Sequence, residues 1–500
     1  MFQTKKYLFF FIYLLSISFS SFVFTEDLSN QPLDPQIFVV FGGTGDLARK
    51  KIFPALEQLQ LQNQLPKNFV CLGIGTKNLT SEKFQETILK PDQTSLKKKI
   101  FYVQANILHD EDFTKLKSTI EHFEESFKTQ GNRLFYLATA PSLFPIIVQK
   151  LKEHGLIHSL PVNGASWSRV IIEKPLGHDY NSALQLKQLL ESHLDTSQIY
   201  LIDHYVGKEV IQNIPTFRFS NPLFENLWNK DHIESVHITL SEEIGIGERG
   251  AFWEETGLLR DLIQNHVMQI LTLIAMEKPK TQATEDIHQK KIELLNAIRP
   301  FTMENLDTQI IRGQYGPGFV EGHAVKGYLE ENHVDPKSTV ETFIGARLYI
   351  DNPRWMGVPF YLKAGKRLNE KLTEVAIHFR KSESHAANQL IFRIQPNEEI
   401  ALIYNSQVPN VEGTVVPTKM LFNYRANFKQ HLPDAYERLI HQSMAGDKRL
   451  FVHFDESLIS WKIYNPILEY WKKHPQAPYK YTAGTQGPLE VQRLFLKSNP

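Results

Sequence analysis

Residues 201–209 read Leu-Ile-Asp-His-Tyr-Val-Gly-Lys-Glu and put a carboxylate (Asp203), an imidazole (His204), a phenol (Tyr205) and an ammonium (Lys208) around one flexible residue, Gly207. Such a set can orient a base, because a carboxylate fixes the tautomer of an imidazole. It can also hold a phosphate, because a phenol and cations supply donors to a dianion. The same residue types crowd ordinary surface loops, so the elements around the stretch decide what it means.

Upstream, residues 37–41 are wholly apolar, which predicts a strand buried on both faces of a parallel sheet. The run ends in Gly42-Gly43-Thr44-Gly45-Asp46-Leu47, and Ile52, Ala55, Leu56 and Leu59 then recur at helical spacing. The glycines therefore sit between a strand and a helix N-terminus, where backbone N–H groups and the helix dipole can receive a pyrophosphate. The spacing is G-x-x-G rather than G-x-G-x-x-G, and a tight turn needing glycine for its backbone angles alone remains an alternative. The next apolar run, 69–75, ends in Thr76-Lys77-Asn78, followed by Thr80 and Ser81. An NAD site usually places an acidic residue there for the ribose hydroxyls, so these groups favour NADP over NAD.

Five hundred residues are enough for two domains. With 55 basic and 55 acidic residues, no whole-protein field draws the chain to nucleic acid or an anionic membrane. Cys71 is the only cysteine, which excludes internal disulfides and a multi-cysteine zinc site; no metal is expected. Lys5 and Lys6 precede an uncharged stretch over 7–24 that resembles a secretory leader but lacks an A-x-A-like cleavage site. A downstream true start is an equal reading.

Strand-like runs at 69–75, 100–103, 133–138, 169–172 and 199–202 alternate with amphipathic helical stretches. That rhythm predicts an α/β Rossmann-type doubly wound domain, with the glycine turn, Thr76, residues 139–141, residues 173–175 and the Asp203 cluster at the ligand-binding strand ends. After Gly207 the runs at 234–242, 343–350, 375–380, 390–395 and 400–404 predict a larger α+β domain with a mainly antiparallel sheet. The expected division is a leader and linker over 1–33, a dinucleotide-binding domain over 34–207, and a substrate-binding and oligomerisation domain over 208–500. Residues 256–276 carry one broad apolar face and predict a single helix, with Asp261 and Asn265 on the other side and His266 beside them.

Six stretches, in this order, resemble the glucose-6-phosphate dehydrogenase family: residues 42–51 (Gly-Gly-Thr-Gly-Asp-Leu-Ala-Arg-Lys-Lys), 173–177 (Glu-Lys-Pro-Leu-Gly), 203–209, 260–266 (Arg-Asp-Leu-Ile-Gln-Asn-His), 363–371 (Lys-Ala-Gly-Lys-Arg-Leu-Asn-Glu-Lys) and 434–440 (Asp-Ala-Tyr-Glu-Arg-Leu-Ile). The resemblance implies oxidation of glucose 6-phosphate at C1 to the 1,5-lactone, with hydride passing to NADP or NAD. It implies that His266 is the base, held by Asp203, and that His204, Tyr205, Lys208 and Lys371 bind the phosphate. Glu242, Asp261 and Lys366 would meet sugar hydroxyls, and Lys174 would lie between sugar and cofactor, beside a Pro175 that is expected cis. Cofactor contacts would come from Gly42, Gly43, Thr44, Gly45, Asp46, Leu47, Lys51, Thr76, Lys77, Asn106 and Lys174. Family members are commonly homodimers or homotetramers.

The chain departs from the family pattern at Thr76, where an Arg often grips the 2′-phosphate, at Leu201, often Arg, and at Asn106, often acidic. Dual cofactor use is thereby left open. A broader hexose-6-phosphate dehydrogenase, which carries a further lactonase domain, and a non-catalytic sugar-phosphate or nucleotide sensor on the same fold are the alternatives. The supply of free NADP points to a cytoplasmic working site.

Overall fold

The computed structural model describes residues 32–89, 95–158, 166–382, 385–428 and 431–495, so most of the leader lies outside it. Six strands, β1 (Gln36–Phe41), β2 (Phe69–Gly75), β3 (Ile100–Gln104), β4 (Arg133–Leu137), β5 (Ser168–Ile172) and β6 (Ile199–Leu201), form a parallel sheet in the order β3-β2-β1-β4-β5-β6. Every residue of β1 and β4 is buried, as their unbroken apolar runs require of central strands covered by helices on both faces. The strand order reverses between β1 and β4, and in sheets of this kind a nucleotide lies beyond that switch point.

The second sheet has nine strands: β7 (Ile233–Ser241), β8 (Ile310–Gly316), β11 (Phe343–Tyr349), β12 (Pro359–Gly365), β13 (Leu372–Phe379), β14 (Gln389–Gln395), β15 (Glu399–Gln407), β16 (Val415–Asn423) and β17 (Tyr479–Thr482), with a small hairpin of β9 (Gly318–Val320) and β10 (His323–Val325) beside it. It is mainly antiparallel, as expected, but β7 runs parallel to β12 and β17 parallel to β8. Alternation along a strand does not reveal such long-range pairings.

The chain then returns to the first sheet. Helix Ala435–Ala445 buries Tyr436, Leu439, Ile440 and Met444 in the same core as Phe38, Val40 and Tyr200, and Val452 N–H donates to the Leu201 carbonyl (3.0 Å). Among the described residues no helix is long and apolar enough to cross a membrane.

The helical segment expected over 256–276 forms over 258–275, with a break near its start and π winding in its first half. Gly257 (φ 65°, ψ 174°) breaks it, a π-wound segment Leu259–Val267 follows, and an α-helix resumes at Met268–Ala275. A buried carboxylate explains the break: a Cβ on Gly257 would lie 2.6 Å from Glu341 Oε1, and that oxygen accepts the Leu259 N–H (3.0 Å). Apolar spacing alone cannot show that an internal acid caps a new helix start.

Candidate active site

The glycine turn leaves β1 at the switch point. Gly42 has φ +80°, and a Cβ there would lie 2.4 Å from the Ala138 carbonyl oxygen; one on Gly43 would lie 2.8 Å from Gly73 Cα. These positions need glycine to bring backbone against backbone, which is the cradle a pyrophosphate requires. However, the Gly42 and Gly43 N–H groups both donate to the Ile74 carbonyl (3.0 and 2.8 Å), so these two glycines shape the turn and offer no free donor. The exposed Asp46 carboxylate accepts from Arg49 and Lys50 (2.8 Å each), which hold it below the usual carboxylate range. Thr44 stands beside the end of β2, its Oγ1 3.2 Å from where a Gly75 Cβ would be, and Thr76 and Lys77 follow there, exposed.

The ends of β5 and β6 and the π-wound segment meet on the opposite wall. His266 Nδ1 lies 2.5 Å from Asp203 Oδ1, which also accepts the Tyr205 N–H (2.9 Å). Asp203 is 2% exposed and His266 fully buried, yet Asp203 Oδ2 and His266 Nε2 have no partner among the described residues. Their ionisation follows from this setting. Burial opposes charge on Asp203, but His266 beside it prevails and pulls the carboxyl down to about 2. Burial lowers His266 below its ordinary 6.5, against the opposing pull of Asp203. At neutral pH the pair is therefore a carboxylate and a neutral imidazole with one open nitrogen.

Lys174, after β5, donates to both the carbonyl (2.8 Å) and Oδ1 (2.9 Å) of Asp261, and the Lys174–Pro175 peptide is cis, as expected. Burial opposes ionisation of Asp261, but Lys174 and Lys366 bring its carboxyl to about 2. Lys366, 2% exposed, pairs with Glu242 and sits 4.8 Å from the centre of the Trp253 ring. Deeper, Glu173 accepts from Tyr136 Oη (2.6 Å), and its carboxyl is raised by burial.

The other side of His266 is aromatic, with the His204 and Tyr205 rings centred 4.5 and 4.4 Å away. Burial and the neighbouring His266 push His204 well below the ordinary histidine value. Lys208 Nζ donates to Gln395 Oε1 (3.2 Å), Gln395 Nε2 donates to Thr373 Oγ1 (2.9 Å), and Thr373 bonds the Tyr205 hydroxyl. Lys208 is close enough to Lys51 and Lys371 to feel both charges, and Lys51 is 3.3 Å from Asp434 Oδ2. Three cations converge here from three distant segments.

Two family models cover the described fold: glucose-6-phosphate dehydrogenase, NAD binding domain, over residues 39–213, and glucose-6-phosphate dehydrogenase, C-terminal domain, over residues 215–499. The chain belongs to the glucose-6-phosphate dehydrogenase family. It is 43% identical over 486 residues to glucose-6-phosphate 1-dehydrogenase of Chlamydia pneumoniae, covering 92% of this chain and 94% of that one. The Bacillus subtilis enzyme is 35% identical over 477 residues, covering 92% and 96%. A solved glucose-6-phosphate dehydrogenase in complex with its substrate glucose-6-phosphate superposes with a TM-score of 0.85 at 34% identity, over 94% of this chain and 99% of that one.

Within this dehydrogenase fold the expected residues divide into two groups. Asp203, His204, Tyr205, Lys208, Lys174, Asp261 and His266 are assembled in mutual contact or close range, as are Glu242 and Lys366, and Lys371 stands within charge range of Lys208. Thr76, Lys77 and Asn106 are not tied together. Thr76 and Lys77 offer their carbonyls to Gln104 (3.3 Å) and Tyr102 (2.6 Å), and the Asn106 side chain accepts the Leu108 N–H (3.1 Å). Sequence reasoning missed Thr373, Gln395 and Trp253, which carry no motif of their own and act by backing Tyr205, Lys208 and Lys366. Asp203, His204 and His266 also bring three atoms able to ligate a metal within 4.8 Å of one another, two of them already bonded to each other.

Proposed function

We propose that His266 is the general base for oxidation of glucose 6-phosphate at C1, and that Asp203 fixes its tautomer and stabilises the imidazolium that forms. The observation that carries this reading is the pairing of a bonded Nδ1 with a buried, unpartnered Nε2 on the same ring. A C1 hydroxyl is the donor that this nitrogen lacks. Its proton passes to Nε2 while the C1–H bond electrons leave as hydride, and the C1–O bond becomes the lactone carbonyl. The nicotinamide nucleotide supplies the hydride acceptor when bound.

Lys174, Asp261, Lys366 and Glu242 orient the sugar hydroxyls, with Lys174 facing the cofactor. Lys208, Lys371, His204 and Tyr205 hold the phosphate, with Asp434 and Glu398 also within charge range of Lys208. We assign residues 34–207 to a dinucleotide-binding domain that also lends Lys174, Asp203, His204 and Tyr205 to the sugar site, and 208–500 to the substrate-binding domain. The turn at residues 42–47 would hold the pyrophosphate. Thr76 and Lys77 would face the ribose, which favours NADP while admitting NAD.

Homodimers or homotetramers would form through the second sheet, whose edge strand β16 exposes Val415, Val416, Met420 and Leu421. The reaction needs a replenished nicotinamide pool, which fits the cytosol. The test is nicotinamide reduction by the full chain with glucose 6-phosphate and NADP or NAD in parallel, beside His266→Asn. Turnover that vanishes in the variant supports the reading. A folded wild-type protein that binds the sugar phosphate without turnover would make it a sensor instead.

A further inference from the structure

We propose that Glu456 and Lys291 are positioning residues for the Asp203–His266 pair, acting through one internal water held in a small cavity between them. The inference rests on His266 being the base. Asp203 Oδ1 is committed to His266 and to the Tyr205 N–H, whereas Oδ2 is buried without a protein donor. Against Asp203 lies a cavity of about 30 Å³ that is also lined by Gln264, Asn265, Gln269, Glu456 and Ser457. A water needs about 10–15 Å³ and two to four polar partners, and this space provides both. Donating one hydrogen to Asp203 Oδ2 and the other to the Glu456 side, a water would satisfy the carboxylate oxygen that no protein donor reaches.

The far wall is a charged cluster with no other evident task. Glu456 is fully buried, and its Oε1 accepts from His288 Nδ1 (2.5 Å) while Oε2 accepts from Gln269 Nε2 (2.9 Å) and lies 3.5 Å from Lys291 Nζ. Lys291, 3% exposed, also donates to Gln269 Oε1 (3.0 Å). A buried ion pair of this kind is weak as a source of stability, which leaves positioning as its use. Gln269 stands one helical turn after His266, so the base and the cluster share a rigid element. His266 itself is faced by Asp203, His204 and Tyr205 from the loop after β6, by Lys174 from the loop after β5, and by Asp261 on its own segment. His288 faces His453 across 5.4 Å, and Asp455 lies beside His453.

Opposite charges in the cluster predict opposite effects on the base. Glu456→Gln leaves Lys291 unbalanced and moves the acid limb of kcat/KM for glucose 6-phosphate to lower pH. Lys291→Met leaves Glu456 unbalanced and moves it to higher pH. Each shift is expected to be on the order of one pH unit or less, the coulombic effect of one charge within about 10 Å at an effective dielectric of about 20. The gentler Ser457→Val fills the cavity and leaves the cluster intact, and is expected to lower kcat severalfold with KM unchanged. Opposed limb shifts together with a kcat loss in Ser457→Val support the proposal, and that kcat loss alone decides should the charge variants not fold. A wild-type limb unmoved or moved the same way by both charge changes, or an unaltered kcat in Ser457→Val, overturns it. Failure of the base assignment would appear separately, as a wild-type-like His266→Asn.

Discussion

The residues proposed to face the sugar and those proposed to face the ribose, two walls of one cleft in that reading, are built on different principles. On the sugar side, Asp203, His266, Lys174, Asp261, Lys366 and Glu242 are half-buried or buried and locked by side-chain bonds drawn from five separate segments. On the ribose side, Thr76 and Lys77 are exposed, engage only through their carbonyls in the contacts seen, and lean on no partner charge. Charges pinned in a low-dielectric wall are preorganised, so each substitution there should be costly and specific. Groups on the wet wall select a ligand by modest increments.

The sharpest way to break this contrast is His266→Asn. It keeps an N–H donor for Asp203 in a somewhat smaller side chain but removes the proton acceptor, and kcat should fall by about 10²–10⁴. A loss below tenfold in a steady-state assay would make the preorganised wall irrelevant to the chemistry.

Gly257→Ala should come next. It forces a side chain into a left-handed backbone position and into the Glu341 carboxylate, at a cost of roughly 1–3 kcal/mol in stability. Because the π-wound segment begins there, kcat should fall as well, and a denaturant melt beside a rate assay separates the two losses.

This residue also marks the limit of what the chain discloses in one dimension. The parallel sheet, the glycine turn and the Asp203 cluster were legible, because strand periodicity and turn chemistry are local. The break at Gly257 was not, since it depends on Glu341, far along the chain. The lowering of His204 by burial and the backing of Tyr205 by Thr373 were hidden for the same reason: burial and long-range bonds leave no trace in spacing. Where the family motifs named residues, the folded chain collected those of the sugar wall and left those of the ribose wall apart.

The pH profile sharpens the comparison further. His266 must be neutral at Nε2 to accept a proton, and burial lowers it from 6.5, so protonation sets in only as pH falls below that value. The acid limb of kcat/KM should therefore lie under pH 6.5, dropping about tenfold per pH unit beyond it. The sign for stability agrees: a depressed histidine contributes above its unfolded value, and the contribution is lost as pH falls through the folded one. The Kd for NADP, set on the wet wall, should not follow that limb. A Kd that tracks it would show the two walls to be coupled.

The smallest expected effect lies on the ribose wall itself. Thr76→Arg places a guanidinium where a 2′-phosphate would accept two hydrogen bonds, an interaction that in a buried site is worth about 1.5–3 kcal/mol. Thr76 is exposed, so solvent screening reduces the gain to about 1 kcal/mol. The ratio of kcat/KM for NADP over NAD should rise about fivefold, and kcat should not change, because nothing on the sugar wall depends on this residue. The gain should also shrink as salt is added, since exposed charges are screened within a Debye length of about 8 Å at physiological ionic strength. A salt-independent gain would mean that the arginine finds a buried partner, and that the ribose wall is more organised than its exposure indicates.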